Sequence, residues 1–209
     1  MPISRTTRWL GIMLLALLAS LAAEPCQAVD VDASEGEPVI ERLDKTLLSV
    51  MKDAEKLGYR GRYEILKPVI EDTYDFTFIT RFSIGKIWKT FGEAQREMLI
   101  ERFTTLSIAT YAARFDGYGG EEFRLTSSKP LRRGRILVRT EILKSNGEII
   151  HLDYVLRKKD EKWLAINVIA NGVSDLSLKR AQYTSILKKK SFDGLIKKLD
   201  KKIAAYEEK

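Results

Sequence analysis

The sequence predicts an α+β domain: helices first, an antiparallel sheet second, closing helices last. Three observations carry that reading. Apolar residues recur at helical spacing over 38–117, the period switches to two over 121–170, and helix-forming stretches return over 174–206. Successive strands joined by short turns pair as an antiparallel meander. Helices packed over one face of such a curved sheet would enclose an apolar cavity. The expected organisation is a cleaved signal peptide over 1–28, a flexible arm over 29–37 (VDVDASEGE) and a single domain over 38–209.

Each element follows from its own pattern. Val39, Leu43, Leu47, Val50 and Leu57 predict a first helix that stops at Gly58. A second helix is expected from Tyr63 to about Tyr74, then short helices broken at Gly85 in the aromatic-rich run DFTFITRFSIGKIWKTF. Thr90 and Glu93 form a T-x-x-E capping box for a long helix reaching about Phe115. That helix has two apolar stripes: Leu99, Phe103, Leu106 and Ala113, and Ile100, Ile108, Tyr111 and Phe115. A surface helix needs one stripe, so this one is either sandwiched or faces a cavity.

Strands follow. Phe123 and Leu125 alternate with charges, and Ile136, Val138, Thr140 and Ile142 share a face. Ser145-Asn146-Gly147 turns the chain into Ile150, Leu152, Tyr154 and Leu156, with His151 and Asp153 on the opposite face. Trp163 to Ala170 is a fourth strand; Leu176–Lys190 and Phe192–Tyr206 are the closing helices.

The first residues bear on compartment. Arg5 and Arg8 precede an apolar run from Trp9 to Ala23, too short for a comfortable membrane span and ordered like a signal peptide. Cleavage after Ala28 is expected, and export of a mature chain without any Cys fits a bacterial envelope protein. Lipidation at Cys26 is the alternative, although Ala23-Glu24-Pro25 approaches that residue poorly. Cleavage removes the only cysteine, and with it thiolate catalysis and Cys-based metal sites. The net charge of +7 suggests contact with anionic lipid head groups or an acidic partner rather than nucleic acid, or a solvated surface alone.

Candidate chemistry is sparse. Ser174 sits between a strand and a helix as a hydrolase nucleophile would, but the only histidine is His151, mid-strand beside Asp153. Gly172-Val173-Ser174-Asp175-Leu176 also lacks the second glycine of a nucleophile elbow. The simpler role for Ser174 or Asp175 is a helix cap. Asp44, Asp53, Glu71 and Asp72 lie on helices without a calcium-loop pattern. No phosphate-binding or dinucleotide fingerprint is present, so neither metal nor cofactor nor enzymatic activity is expected. Lys188–Lys190, Lys197, Lys198, Lys201 and Lys202 fall mostly on solvated helix faces.

What stands out is apolar surface, explained equally by an ordinary core and by a site for hydrocarbon. A buried CH₂ is worth roughly 0.8 kcal/mol, enough for these residues to hold a lipid without catalysis. The expected lining is Ile136, Val138, Ile150, Leu152, Tyr154, Ile166 and Val168 from the sheet. Phe82, Trp88, Phe103, Leu106 and Tyr111 would face them from the helices. The choice of strand face rests on apolar content alone.

Several segments carry a resemblance, in chain order. They are DFTFITRFSIGKIW, with Asp75-Phe76, Gly85 and Trp88; EAQREMLIERFTTLSIATYAARFDGY; Val138-Arg139-Thr140; Asp153-Tyr154; and the run from Trp163 to Ser174. Together they resemble the MlaC family of periplasmic lipid-binding proteins. The tail, with Asn167-Val168-Ile169-Ala170, Gly172 to Leu176, Lys179-Arg180-Ala181 and Tyr183, looks like the family's HpnM-like, hopanoid-biosynthesis-associated branch. Asn167 and Asn171 replace acidic residues common elsewhere in the family.

The resemblance implies a non-catalytic carrier with an NTF2-like sheet. Its lipid would be a hopanoid or a phospholipid, its partner an inner-membrane RND-type or ABC-type transporter, and its membrane contact transient.

Overall fold

The computed structural model describes residues 31–207, so the expected leader lies outside them. Helix α1 (Glu37–Lys52) has Pro38 in its first turn, where a missing N–H costs nothing, and buries Ile40, Leu43, Asp44, Leu47, Val50 and Met51. It ends at Asp53, earlier than the expected Gly58, and α2 (Ala54–Thr73) begins at once. Gly58 instead kinks α2 at φ 58°, which a residue without Cβ adopts without strain. The second expected helix is therefore the far part of α2. Buried Arg62 fastens this region: its Nε donates to Ala112 O at 2.8 Å and its Nη1 to Ala54 O at 3.0 Å.

Helix α3 (Phe76–Ile84) is capped by Asp75, whose Oδ1 accepts from Phe78 N at 2.9 Å, and stops at Gly85 with φ 71°. A 3-10 turn over Gly85–Thr90 leads to α4 (Glu93–Arg114). The expected capping box at Thr90 is not formed. The 3-10 turn takes up that hydroxyl, which donates to Ile87 O at 2.8 Å, and Gly92 becomes the N-cap, its N–H donating to Gln95 Oε1 at 3.1 Å. The two stripes of α4 have a direct explanation, because it packs against α2, α3 and α6 (Phe192–Glu207).

Strands β1 (Glu122–Leu131), β2 (Arg135–Leu143), β3 (Ile149–Lys159), β4 (Lys162–Ala170) and β5 (Val173–Ser174) form one antiparallel sheet in sequence order, and it is not closed. The Asn146-Gly147 hairpin forms as expected, with Lys144 N donating to Glu148 O at 2.9 Å. Bulges between Leu125 and Ser127 and opposite Val155–Leu156 bend the strands. Helix α5 (Asp175–Lys189) packs on β4 and on α3. Ser174 caps α5, with its Oγ accepting from Ser177 N at 3.2 Å.

The flexible arm is replaced in part by structure. Ala33–Gly36 is a 3-10 turn with Ala33 and Gly36 buried. Glu35 Oε2 accepts from Trp163 Nε1 at 2.9 Å and pairs with Lys158, which ties this turn to the sheet. The result, among the described residues, is the expected NTF2-like arrangement, six α-helices over one open five-stranded sheet.

Candidate functional site

The helix-facing side of the sheet is set by register. Val138 pairs with Tyr154 and Tyr154 with Val168, while Ile136 pairs with Leu156 and Leu156 with Ala165. These residues join Leu43, Leu47, Leu66, Ile70, Phe103 and Leu106 in one continuous apolar interior. Side chains of the protein itself fill it: Phe103, Tyr154 and Tyr183 are each at most 1% exposed. The opposite face of the sheet is polar, with His151 Nδ1 3.2 Å from Glu141 and Arg139 Nε 3.5 Å from Asp153. A recess of about 430 Å³ lies there, bordered by Thr126, Ser127, Arg139, Glu141 and His151. Another, of about 500 Å³, borders the solvent side of α1 at Glu41, Arg42 and Lys45. Neither belongs to the apolar interior.

Of the twelve lining residues expected from sequence, Phe103, Leu106, Ile136, Val138 and Tyr154 lie in this core, and Trp88, Tyr111, Leu152 and Val168 pack against it. Three do not join. Phe82 is on the outer side of α3, 37% exposed, stacked on Phe78 and covered by the Arg180 guanidinium at 4.7 Å. Ile150, near the hairpin, is half-buried outside the cluster.

Ile166 is buried but sits at the β4 bulge, where Val155 pairs with Asn167 and Leu156 with Ala165. The extra residue reverses the alternation, so Ala165 and Trp163 take the helix-facing positions that a strict period of two gives to Ile166. Nothing in local spacing signals that slip.

A polar group is buried on the core-facing side of α1. Asp44 interrupts the buried stripe of α1 and is 6% exposed, and its Oδ1 makes no hydrogen bond within the protein. Burial raises its pKa to about 7, with Glu41 adding to the rise. Tyr74 and Tyr111 share a hydrogen bond between hydroxyls. Tyr154 is wholly buried, and its hydroxyl neighbours that of Tyr111 without completing a hydrogen bond of ordinary geometry. Burial raises Tyr111 to about 12, and holds Tyr74 and Tyr154 well above the usual phenol range.

Tyr111 and Asp44 both act on Tyr154, so α1, α4, β3 and Tyr74, which caps the end of α2, contribute to one cluster. The sequence signal for it was Asp44, a carboxylate among Ile40, Leu43 and Leu47 on one helix face. An aromatic row leads outward from the cluster: Tyr111 stacks on Phe115 at 5.6 Å, and Phe115 meets Phe123 on the edge strand at 6.3 Å.

The constellations considered for catalysis do not assemble. Ser174 Oγ donates to Asn167 Oδ1 at 3.1 Å, and that same oxygen accepts from Leu176 N at 3.1 Å. His151 is paired with Glu141, and its backbone N–H donates to Asn171 Oδ1 at 2.9 Å. Asn167 and Asn171 thus act as acceptors that fix the strand end and the following turn. Among the described residues no cluster of His, Cys, Asp and Glu could hold a metal, and no helix is long and apolar enough to cross a membrane.

Among solved structures the chain is similar to a phospholipid-binding protein from Ralstonia solanacearum in complex with a phospholipid. The TM-score is 0.73 at 19% identity, covering 82% of this chain and 98% of that one. At that identity the likeness speaks for the fold. The family model described as MlaC protein matches residues 41–201, from the buried face of α1 to the last turns of α6. The chain belongs to the MlaC family.

Proposed function

We propose that this protein is a periplasmic lipid-binding carrier that holds hydrocarbon between the sheet and the helices and performs no catalysis. The observation that carries the reading is the family match over nearly the whole described domain. The continuous apolar interior and the likeness to a phospholipid-bound structure support it. Phe103, Leu106, Tyr111, Ile136, Val138, Leu152, Tyr154 and Val168 line the site in this reading, with Trp88 at its margin. Loading requires helices and sheet to part, since side chains occupy the interior in the structure described above. The half-buried row of Phe123, Phe115 and Tyr111 at the open sheet edge provides the way in.

The finer proposal is a member of the HpnM-like branch that carries a hopanoid or related lipid between an inner-membrane RND-type transporter and the outer membrane. The tail from Asn167 to Tyr183 supports it. A phospholipid cargo with an ABC-type transporter is the second reading, favoured by the phospholipid held by the Ralstonia protein. The test is to express the full chain in a Gram-negative host, recover the periplasmic fraction, and extract bound lipid for mass spectrometry. Lipid at about one molecule per chain is expected, with a mature N-terminus at Val29. A protein that carries no lipid and takes none up from vesicles refutes the carrier. Uptake of phospholipid without hopanoid favours the second reading.

A further inference from the structure

A protein interior rarely leaves polar atoms unpaired, and an exception calls for a cause such as an absent water, ion or ligand group. Here Asp44 Oδ1, Tyr154 Oη, Thr80 Oγ1 and Ser83 Oγ lack partners on residues that are at most 6% exposed. Two of them belong to the buried Asp44–Tyr111–Tyr154 cluster. Tyr154 is on the middle strand of the sheet, paired with Val138 and Val168.

On the reading that this interior is a lipid site, we infer that Asp44 and Tyr154 form an internal polar anchor. It receives an uncharged hydroxyl group of the cargo and discriminates against an anionic phosphate. The donor and acceptor inventory sets the ligand class. The Tyr154 phenol keeps its proton and can donate, while Asp44 offers an unpaired acceptor. A hydroxyl satisfies both at once by accepting from Tyr154 and donating to Asp44.

A phosphate supplies only acceptors when fully ionised, and it would meet a carboxyl that no cation among the described residues pairs with. Among the described residues the charge that acts on Asp44 is Glu41, which has the same sign. Buried Arg62 directs its Nε and Nη1 to the carbonyls of Ala112 and Ala54. Phosphate-bearing lipids can still load, tails inward, but without using the anchor.

The experiment offers the full-length mature protein vesicles containing dioleoylglycerol and dioleoylphosphatidic acid in equal amounts. The two lipids share acyl chains and differ at the free hydroxyl. Protein is separated from vesicles and bound lipid is counted by mass spectrometry. The wild type is expected to enrich the diacylglycerol over the phosphatidic acid. Tyr154→Phe removes one oxygen and keeps the ring, so the fold is retained, and the enrichment is expected to fall by about three- to tenfold, the worth of one hydrogen bond. Asp44→Asn is expected to relax discrimination by raising phosphatidic acid uptake.

Wild-type enrichment that neither variant changes overturns the anchor, as does equal uptake of both lipids by the wild type. In both outcomes the carrier reading stands. Uptake of neither lipid overturns the carrier reading and the anchor with it.

Discussion

Replacing Asp44 with Asn should make the protein more stable, and only above mildly acidic pH. The carboxyl is 6% exposed and its pKa rises from 3.8 to about 7, first through burial and then through Glu41. Below pH 4 it is protonated in both folded and unfolded chains, so ionisation costs folding nothing. Between about 4 and 7 the unfolded chain releases this proton and the native state keeps it, and stability falls as pH rises. Above 7 the native state carries the full cost of a buried charge, and the loss levels off. At roughly 1.4 kcal/mol per pH unit, the rise corresponds to about 4 kcal/mol.

Asn has the shape of the protonated acid and cannot ionise. Urea unfolding at pH 4 and pH 8 is the assay. The two proteins should agree within about 1 kcal/mol at pH 4, while at pH 8 the variant should gain about 4 kcal/mol. With a typical slope near 2 kcal/mol per molar urea, that gain moves the midpoint by about 2 M. A difference that is the same at both pH values, or an Asn variant weaker at pH 8, would refute the argument that Asp44 titrates inside an unpaired, dry environment.

Other substitutions probe the frame around the interior. At Gly36→Ala the new Cβ would lie 2.0 Å from Ile136 Cδ1 and 3.3 Å from Leu156 Cδ2, so a loss of about 1–3 kcal/mol is expected from overpacking. Adding Ile136→Val, which deletes the clashing methyl, should give a double mutant more stable than the two separate losses predict. Asp75→Ala removes both the α3 cap and the partner of Arg157, whose Nε donates to Asp75 Oδ2 at 2.7 Å. Because Arg157 is 33% exposed and can turn to water, chemical denaturation should show about 2–3 kcal/mol lost, less than for a sealed ion pair. Ser174→Ala should cost about 1 kcal/mol, the worth of a helix cap, with no change in hydrolysis of a p-nitrophenyl ester measured against a blank; an esterase activity that this change abolished would restore the nucleophile reading.

What the sequence made legible was what local spacing encodes. The stripe on α1, the stop at Gly85, the Asn146-Gly147 hairpin and the alternation of β2 and β3 each depend on residues a few positions apart. The failures were set at longer range. The β4 bulge exists because of how Leu156 and Val155 pair across strands, and it moves Ile166 out of phase while Ala165 and Trp163 move in. Phe82 looked like a lining residue by composition, but α3 meets α4, α5 and β4 through Ile79, Thr80, Ser83 and Ile84, which leaves Phe82 under Arg180. The 3-10 turn over Ala33–Gly36 depends on Trp163 and Lys158, more than a hundred residues away.

Asp44 shows a different limit, because its position on the buried face of α1 was readable while its meaning was not. A carboxyl among Ile40, Leu43 and Leu47 reads as a metal ligand, a structural partner or a mistake until its surroundings are known. Among the described residues those surroundings hold no group of metal-ligating side chains and no basic partner for Asp44, only phenols and Glu41. Selection for folding alone would favour an apolar side chain at 44 and Phe at 154, since replacing unpaired buried polar groups by apolar ones of similar shape is neutral or stabilising. Retaining both groups gives up stability in the resting protein. That loss makes sense where the interior is not always closed on itself and a visiting group completes the hydrogen bonds.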